Sequence, residues 1–328
     1  MNEAEFLARW HSEKAFYESW GRYVKAEIER ILLENNPGLD LDIFLKIAKP
    51  PRSKNDESLL DKAFHRDKNY EDPYLEIEDK IGLRFVVLLT TDIAKLQTAV
   101  EKSSQWSASL DKDYEREREA RPTEFAYQSK HYVLKSARDL QIDGATIPAN
   151  TPCEVQLRTL LQHAHSELTH DNIYKTESGN VVSTKVHRTV ARSMALIEAV
   201  DDYFELAIEQ LFEATAPERQ ALKELVTIYE ARIGRQPGLA KSNRLVLSAF
   251  PKFLDGGLRE KIEALLSKFP FIVQNIQDRY ASQHSFRQPW ILLAYLAVQT
   301  TPEQTQEAWP LTPEEIKPVY VDLGKRWG

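Results

Sequence analysis

The stretch Asp79 to Leu89, DKIGLRFVVLL, and its counterpart Cys153 to Arg158, CEVQLR, decide the reading of this chain. In the first, an acidic residue, a glycine and Arg84 lead into an uninterrupted apolar run, Phe85 to Leu89. Such a run predicts a strand over Leu83 to Leu89 that is buried on both faces. In the second, Glu154, Gln156 and Arg158 alternate with Val155 and Leu157, so one strand face is apolar and the other is polar with mixed charge. A face of that kind lies either against solvent or inside a site. Two further β-rich runs, Asp42 to Ala48 and His131 to Leu134, are separated from these by helical patterns. The alternation predicts an α+β fold: a mixed sheet of about five strands, flanked by helices and covered mainly on one face.

Working outward, Phe6, Leu7, Trp10, Phe16, Trp20, Val24, Ile28 and Leu32 recur at helical spacing from Glu3 to Glu34, and the run stops at the breaker Asn35 to Gly38. Beyond Arg158 the pattern is helical almost throughout. Ile197, Val200, Phe204, Ile208 and Leu211 form a helix stripe, and Glu213 to Pro217 reads as a linker ending in a helix N-terminal proline. We therefore expect one domain over 1–212 and an all-α region over 217–328, its short helices punctuated at Pro237-Gly238, Asp255-Gly256-Gly257, Pro270, Pro289 and Pro313. That second region carries no motif, and Phe286 to Trp290 reads as core. Regulation, homo-oligomerisation and binding of a partner such as an antitoxin are the roles open to it.

The 328 residues hold 43 Lys and Arg against 50 Asp and Glu, a net charge of -7, which argues against a general nucleic-acid coat protein. Phosphate chemistry must then use local basic clusters. The single cysteine, Cys153, cannot form an intrachain disulfide, and no Cys/His zinc frame is present, as expected of a cytoplasmic protein. Residues 1–30 lack a signal-peptide apolar core, and Trp290 to Val298 is too short to span a bilayer.

Four segments can carry chemistry. In RSKNDESLLDK, Arg52 to Lys62, the cations Arg52, Lys54 and Lys62 precede or enter a helix whose N-cap is Asn55 or Asp56. They suit a triphosphate, although the same letters describe a solvated charged turn. Asp79, at a strand entrance, suits Mg²⁺, which takes one or two carboxylates plus substrate phosphates; a helix-ending Asp before a glycine turn is the plainer account. In AYQSKHYVL, Ala126 to Leu134, strand geometry would put Tyr127, Ser129 and His131 on one face, suited to a base and its phosphates or simply to cross-strand pairing. After the polar strand of Glu154, Gln156 and Arg158, a helix places His163, Glu167 and His170 on one side. Zinc could be imagined there, but bracing of the neighbouring strand explains the trio more simply.

Taken together and in order, these segments resemble the motifs of the RelA/SpoT nucleotide pyrophosphokinases from Asp42 to Lys175. The matching residues are Arg52, Lys54, Ser58 and Lys62; Asp79, Gly82 and Arg84; Tyr127, Ser129 and His131; and Glu154, Gln156, Arg158 and Thr159 followed by QHAHSELTHDNIYK. The resemblance implies a nucleotidyltransferase-like synthetase fold and transfer of pyrophosphate from ATP to a 3′-hydroxyl. It implies that Arg52 and Arg84 sandwich the adenine, that Lys54, Ser58 and Lys62 hold the ATP phosphates, and that Asp79 and Glu154 bind Mg²⁺ and are catalytic. Tyr127 would stack on the acceptor base, with Ser129, His131, Gln156, Arg158 and His170 completing the acceptor side. The amino-terminal hydrolase of bifunctional members is not expected, since the stretch before Asp42 has no room for it.

Guanosine-specific members carry Pro-Lys-x-Asn-Gly ahead of the tyrosine, where this chain has Pro122, Thr123, Glu124, Phe125 and Ala126; Thr169 and His165 also depart from the family's usual Glu and Trp. These departures surround the acceptor pocket. GDP or GTP is accordingly the leading acceptor expected, the 3′ end of tRNA, as in toxin members, the alternative, and a non-catalytic nucleotide-binding module the third. The charged run Lys112 to Arg121 could meet an RNA acceptor but reads as a solvated helix.

Overall fold

Asn2 starts the fold. Its side chain accepts from the Glu5 backbone N–H while the Glu5 carboxylate takes the Asn2 N–H, a capping box that opens helix α1, Glu3–Asn35. The computed structural model describes residues 1–47, 49–66, 69–126, 128–169, 183–254 and 256–328. The chain divides into two compact units, Met1–Ala207 and Ile208–Gly328. In the first unit α1 is followed by α2 (Leu41–Phe44), β1 (Arg52–Ser53), α3 (Asp56–Leu60) with a π-helical turn over Asp61–His65, α4 (Pro73–Glu76), β2 (Ile81–Val87) and α5 (Thr90–Lys102). Then come β3 (Trp106–Asp113), α6 (Tyr114–Ala120), β4 (Lys130–Ser136), a hairpin of β5 (Leu140–Ile142) and β6 (Ala145–Ile147), β7 (Pro152–Thr159), α7 (Leu160–Thr169) and the first part of α8 (Thr184–Ala214).

The main sheet has five strands in the order β1-β2-β7-β4-β3, with β2 and β7 parallel and the other pairs antiparallel. This is the mixed α+β sheet expected. Its pleat sorts the residues into two faces. Leu83, Phe85, Val155, Leu157, Tyr132 and Leu134 point to one face and join Trp10, Trp20, Val24 and Ile28 of α1 and Leu96 and Val100 of α5 in a single apolar core. Each large side chain fully buried there contributes roughly 1.5–3 kcal/mol. Helix α1 comes close at Gly21, where a Cβ would meet Ile81 Cγ1 at 2.8 Å and Pro51 Cβ at 2.9 Å, so only glycine lets it pass over the entrance to β2.

The structure corrects three expectations. Asp42 to Ala48 is not a strand: Asp40 caps the single turn of α2 by accepting from Asp42 N at 3.0 Å, and only Ile47 bridges to Val86. Ala48 lies outside the described residues. Strand β2 is buried on both faces only at its end, because Gly82 and Arg84 occupy the opposite face and remain half-buried. Lys112 and Asp113 belong to β3, so helix α6 is shorter than the charged run. Strand β3 itself gave no sequence signal. It sits at the sheet edge with Ser107, Ala108 and Ser109 exposed, which removes the alternation a half-buried strand shows.

The second unit contains the end of α8 and α9 (Ala216–Ile233), α10 (Ser242–Ala249), α11 (Leu258–Lys268), α12 (Phe271–Arg279), α13 (Trp290–Thr300), α14 (Pro302–Ala308) and α15 (Pro313–Asp322). Thr215, inside the stretch read as a linker, is the one residue between α8 and α9. Helix α13 is buried from Trp290 through Val298 and forms the centre of a separate apolar core that includes Phe286. Pro270 and Pro289 occupy helix N-caps, and Thr312 forms a capping box with Glu315 ahead of Pro313. Among the described residues no helix is long and apolar enough to cross a membrane.

Candidate functional site

The sheet face opposite the core places the polar motif residues side by side. Register pairs Arg52 with Gly82, Gly82 with Glu154, Arg84 with Gln156, and Gln156 with His131. Cross-strand partners share a face, so Arg52, Arg84, Glu154, Gln156 and His131 line one open side of three neighbouring strands and the short edge strand β1. Gly82 keeps the floor beside Glu154 low: a Cβ there would lie 3.7 Å from Glu154 Oε2.

The loop before β2 brings Asp79 to the same end. Lys54 N donates to Lys80 O at 2.9 Å, Asn55 caps α3 by accepting from Ser58 N at 2.8 Å, and the π-helical turn carries Lys62. As a result Lys54 Nζ and Lys62 Nζ stand 2.5 and 2.9 Å from the same oxygen, Asp79 Oδ2. Burial pushes the Asp79 carboxyl up, but the two ammonium groups outweigh it and hold the group below its ordinary value. Arg52 is exposed and has no ion pair among the described residues. Arg84 Nη1 contacts Glu167 Oε1 at 2.7 Å and His163 Nδ1 at 3.3 Å. Burial and the adjacent Arg84 together lower the His163 pKa.

On the β4 side, Gln156 Nε2 donates to Glu154 Oε2 at 2.9 Å and His131 Nδ1 lies 3.4 Å from Glu154 Oε1. Burial raises the Glu154 pKa and Asp79 adds to that, but the His131 contact and the Gln156 hydrogen bond leave it lowered overall. Arg158 is only 2% exposed; it donates to Ser129 Oγ at 3.2 Å, to Ser166 Oγ at 2.6 Å and to Gln156 Oε1. It therefore braces Gln156 and Ser129 from beneath. Tyr127 and His170 lie outside the described residues, and so does Lys175.

The donor set fits Mg²⁺. Asp79 Oδ1 is buried with no hydrogen-bond partner among the described residues, an unsatisfied oxygen at the end of the sheet that carries Glu154. Mg²⁺ takes one or two carboxylates plus substrate oxygens, and Asp79 and Glu154 would supply those carboxylates. His163 and Glu167 spend their contacts on Arg84, which accounts for them without zinc.

Sequence reasoning missed Lys80 and Ser166. Lys80 is 1% exposed, donates to Ile77 O at 2.6 Å and lies 4.8 Å from the centre of the Tyr74 ring, pinning the loop that presents Asp79. Burial lowers its pKa to about 8. Its position directly after Asp79 was the only signal available.

Residues 51–179 match the family described as the region found in RelA / SpoT proteins. Small alarmone synthetase 1 from Bacillus subtilis superposes with a TM-score of 0.50 at 19% identity, over 63% of this chain and 99% of that one. The same protein bound to its product pppGpp gives a TM-score of 0.49 at 21% identity, over 62% and 98%. A GTP pyrophosphokinase family protein from Streptococcus pneumoniae gives 0.49 at 17%, over 65% and 97%. No curated protein matches the chain. The first of these structures shares the fold of the part of this chain that it covers.

Proposed function

We propose that the RelA/SpoT region of this chain is an ATP-dependent pyrophosphokinase that makes guanosine tetra- or pentaphosphate from GDP or GTP. The observation that carries the reading is the joint placement of Arg52, Arg84, Glu154, Gln156 and His131 on one open sheet face, beside the Lys54–Asp79–Lys62 cluster. The family match and the fold shared with a small alarmone synthetase support it.

The acceptor's 3′-oxygen attacks the β-phosphorus of ATP, the bond from that phosphorus to the α,β-bridging oxygen breaks, and AMP leaves. Chemistry of this type needs positioning and charge neutralisation rather than a covalent nucleophile. Arg52 and Arg84 hold the adenine, and Lys54 and Lys62 exchange the Asp79 carboxylate for the ATP phosphates, with Ser58 alongside. That exchange frees Asp79, which with Glu154 would hold Mg²⁺; the bound ion supplies further charge neutralisation to the transferred group. Glu154, ionised at neutral pH, takes the proton of the 3′-hydroxyl. Tyr127, His131, Gln156 and His170 receive the acceptor, with Arg158 and the fully buried Ser129 beside it bracing that side.

The loop before Tyr127 favours a second reading, transfer to the 3′ end of tRNA. It replaces the family's lysine, asparagine and glycine with Thr123, Phe125 and Ala126, and Phe125 is 38% exposed, as a ring that stacks on an RNA base would be. Incubation with ATP labelled in its γ-phosphate and with GDP, GTP or deacylated tRNA separates the readings. Label in the guanosine nucleotide supports the first and label in tRNA the second. Label in neither overturns both and leaves a binding module.

A further inference from the structure

The first half of α8 lies beyond the residues that match the family and carries none of the motifs, yet it supplies a carboxylate to the acceptor segment. Glu198 Oε2 accepts from Gln128 Nε2 at 2.8 Å, and Glu198 Oε1 lies 3.3 Å from Arg118 Nη1. Gln128 is 7% exposed, and its Oε1 accepts from Gln162 Nε2 at 3.4 Å. In the chain Gln128 stands between Tyr127 and Ser129. Ser129 takes a hydrogen bond from Arg158, which in turn donates to Gln156, the neighbour of Glu154.

Residues 121–126 and 128–129 belong to no helix or strand, so no ladder of backbone hydrogen bonds sets their course into β4. Side-chain anchors must do so. The anchor at Gln128 ends on a carboxylate, and hydrogen bonds to charged groups are the stronger kind. Asp201 Oδ2 and Glu205 Oε1 of the same helix accept from Thr159 Oγ1 at 2.8 Å and Thr91 N at 2.6 Å, which keeps this part of α8 seated when Glu198 is changed.

We propose that Glu198 is a positioning residue for the acceptor: by holding Gln128 and Arg118 it sets the segment that carries Tyr127 and Ser129. The inference rests on the pyrophosphokinase reading above. Steady-state kinetics of the full chain with ATP and whichever acceptor the labelling experiment identifies, supported by thermal unfolding of each variant, tests it. Glu198→Ala raises the acceptor KM about tenfold and leaves the ATP KM within about twofold, because only the acceptor segment loses its anchor. Glu198→Gln, which keeps an oxygen for Gln128, recovers most of the loss. Gln128→Ala, which leaves the Arg118–Glu198 contact in place, repeats it. A loss of stability that raises both KM values together, or an unchanged acceptor KM in Glu198→Ala and Gln128→Ala, overturns the inference while wild-type transfer stands. Absence of transfer by the wild-type chain overturns the reading beneath it and this inference with it.

Discussion

Asp201 is 2% exposed, and its Oδ1 has no hydrogen-bond partner among the described residues. It lines a cavity of about 140 Å³ with Glu115, Glu198, Asp202, Glu205 and Arg118. Burial pushes the Asp201 pKa from its ordinary 3.8 up to about 6; the Thr159 hydrogen bond works against the rise, and Asp202 and Glu205 add to it. An acid whose folded pKa is raised binds its proton more tightly in the folded chain. Stability is then greatest below the ordinary value, falls as the pH climbs from about 4 through 6, and is level above. At about 1.36 kcal/mol per pH unit, ionised Asp201 costs roughly 1–3 kcal/mol at pH 8, the lower end allowing for solvent that reaches the carboxylate through the cavity. Asp201→Asn removes that cost and keeps an oxygen for Thr159. Relative to wild type, the variant's melting temperature should therefore rise from pH 4.5 to just above 6 and then hold level to pH 8, at about 2–4 °C per kcal/mol for a unit of this size. Differential scanning calorimetry of both proteins across that range is the assay. A difference between them that does not change with pH refutes the argument.

Asp79→Asn and Glu154→Gln should each abolish transfer while circular dichroism stays close to wild type, since neither side chain belongs to the apolar core; near-wild-type turnover with Mg²⁺ as the only metal would sink the site assignment. Arg52→Ala and Arg84→Ala should raise the KM for ATP more than that for the acceptor, and titrations showing the reverse would exchange the donor and acceptor sides. Tyr127→Ala should weaken acceptor use about ten- to a hundredfold, from the roughly 1–3 kcal/mol of base stacking, with ATP affinity unchanged. Unaltered acceptor kinetics for every substrate tried would make Tyr127 a packing residue.

Much of this protein is legible without coordinates because local chemistry writes it. The apolar spacing of α1, the alternation of Val155 and Leu157 with Glu154, Gln156 and Arg158, and the prolines that open the later helices each depend on neighbours within a few positions. So do the Asn55 cap and the order of the motif residues. What tertiary structure alone decided is where polar groups end. Asp79 lies 25 positions from Lys54, Arg84 lies 83 from Glu167, and Gln128 lies 70 from Glu198. Charged and amide side chains have no periodicity that names a partner, so their pairing follows only once the sheet register and the seating of α8 have brought the strands and helices together. The same holds for β3, a strand through its pairing with β4 rather than through its letters, and for Arg158, whose burial depends on α7 folding back over the end of β7. Period and capping are short-range properties of a chain, whereas burial and ion pairing belong to its packed form.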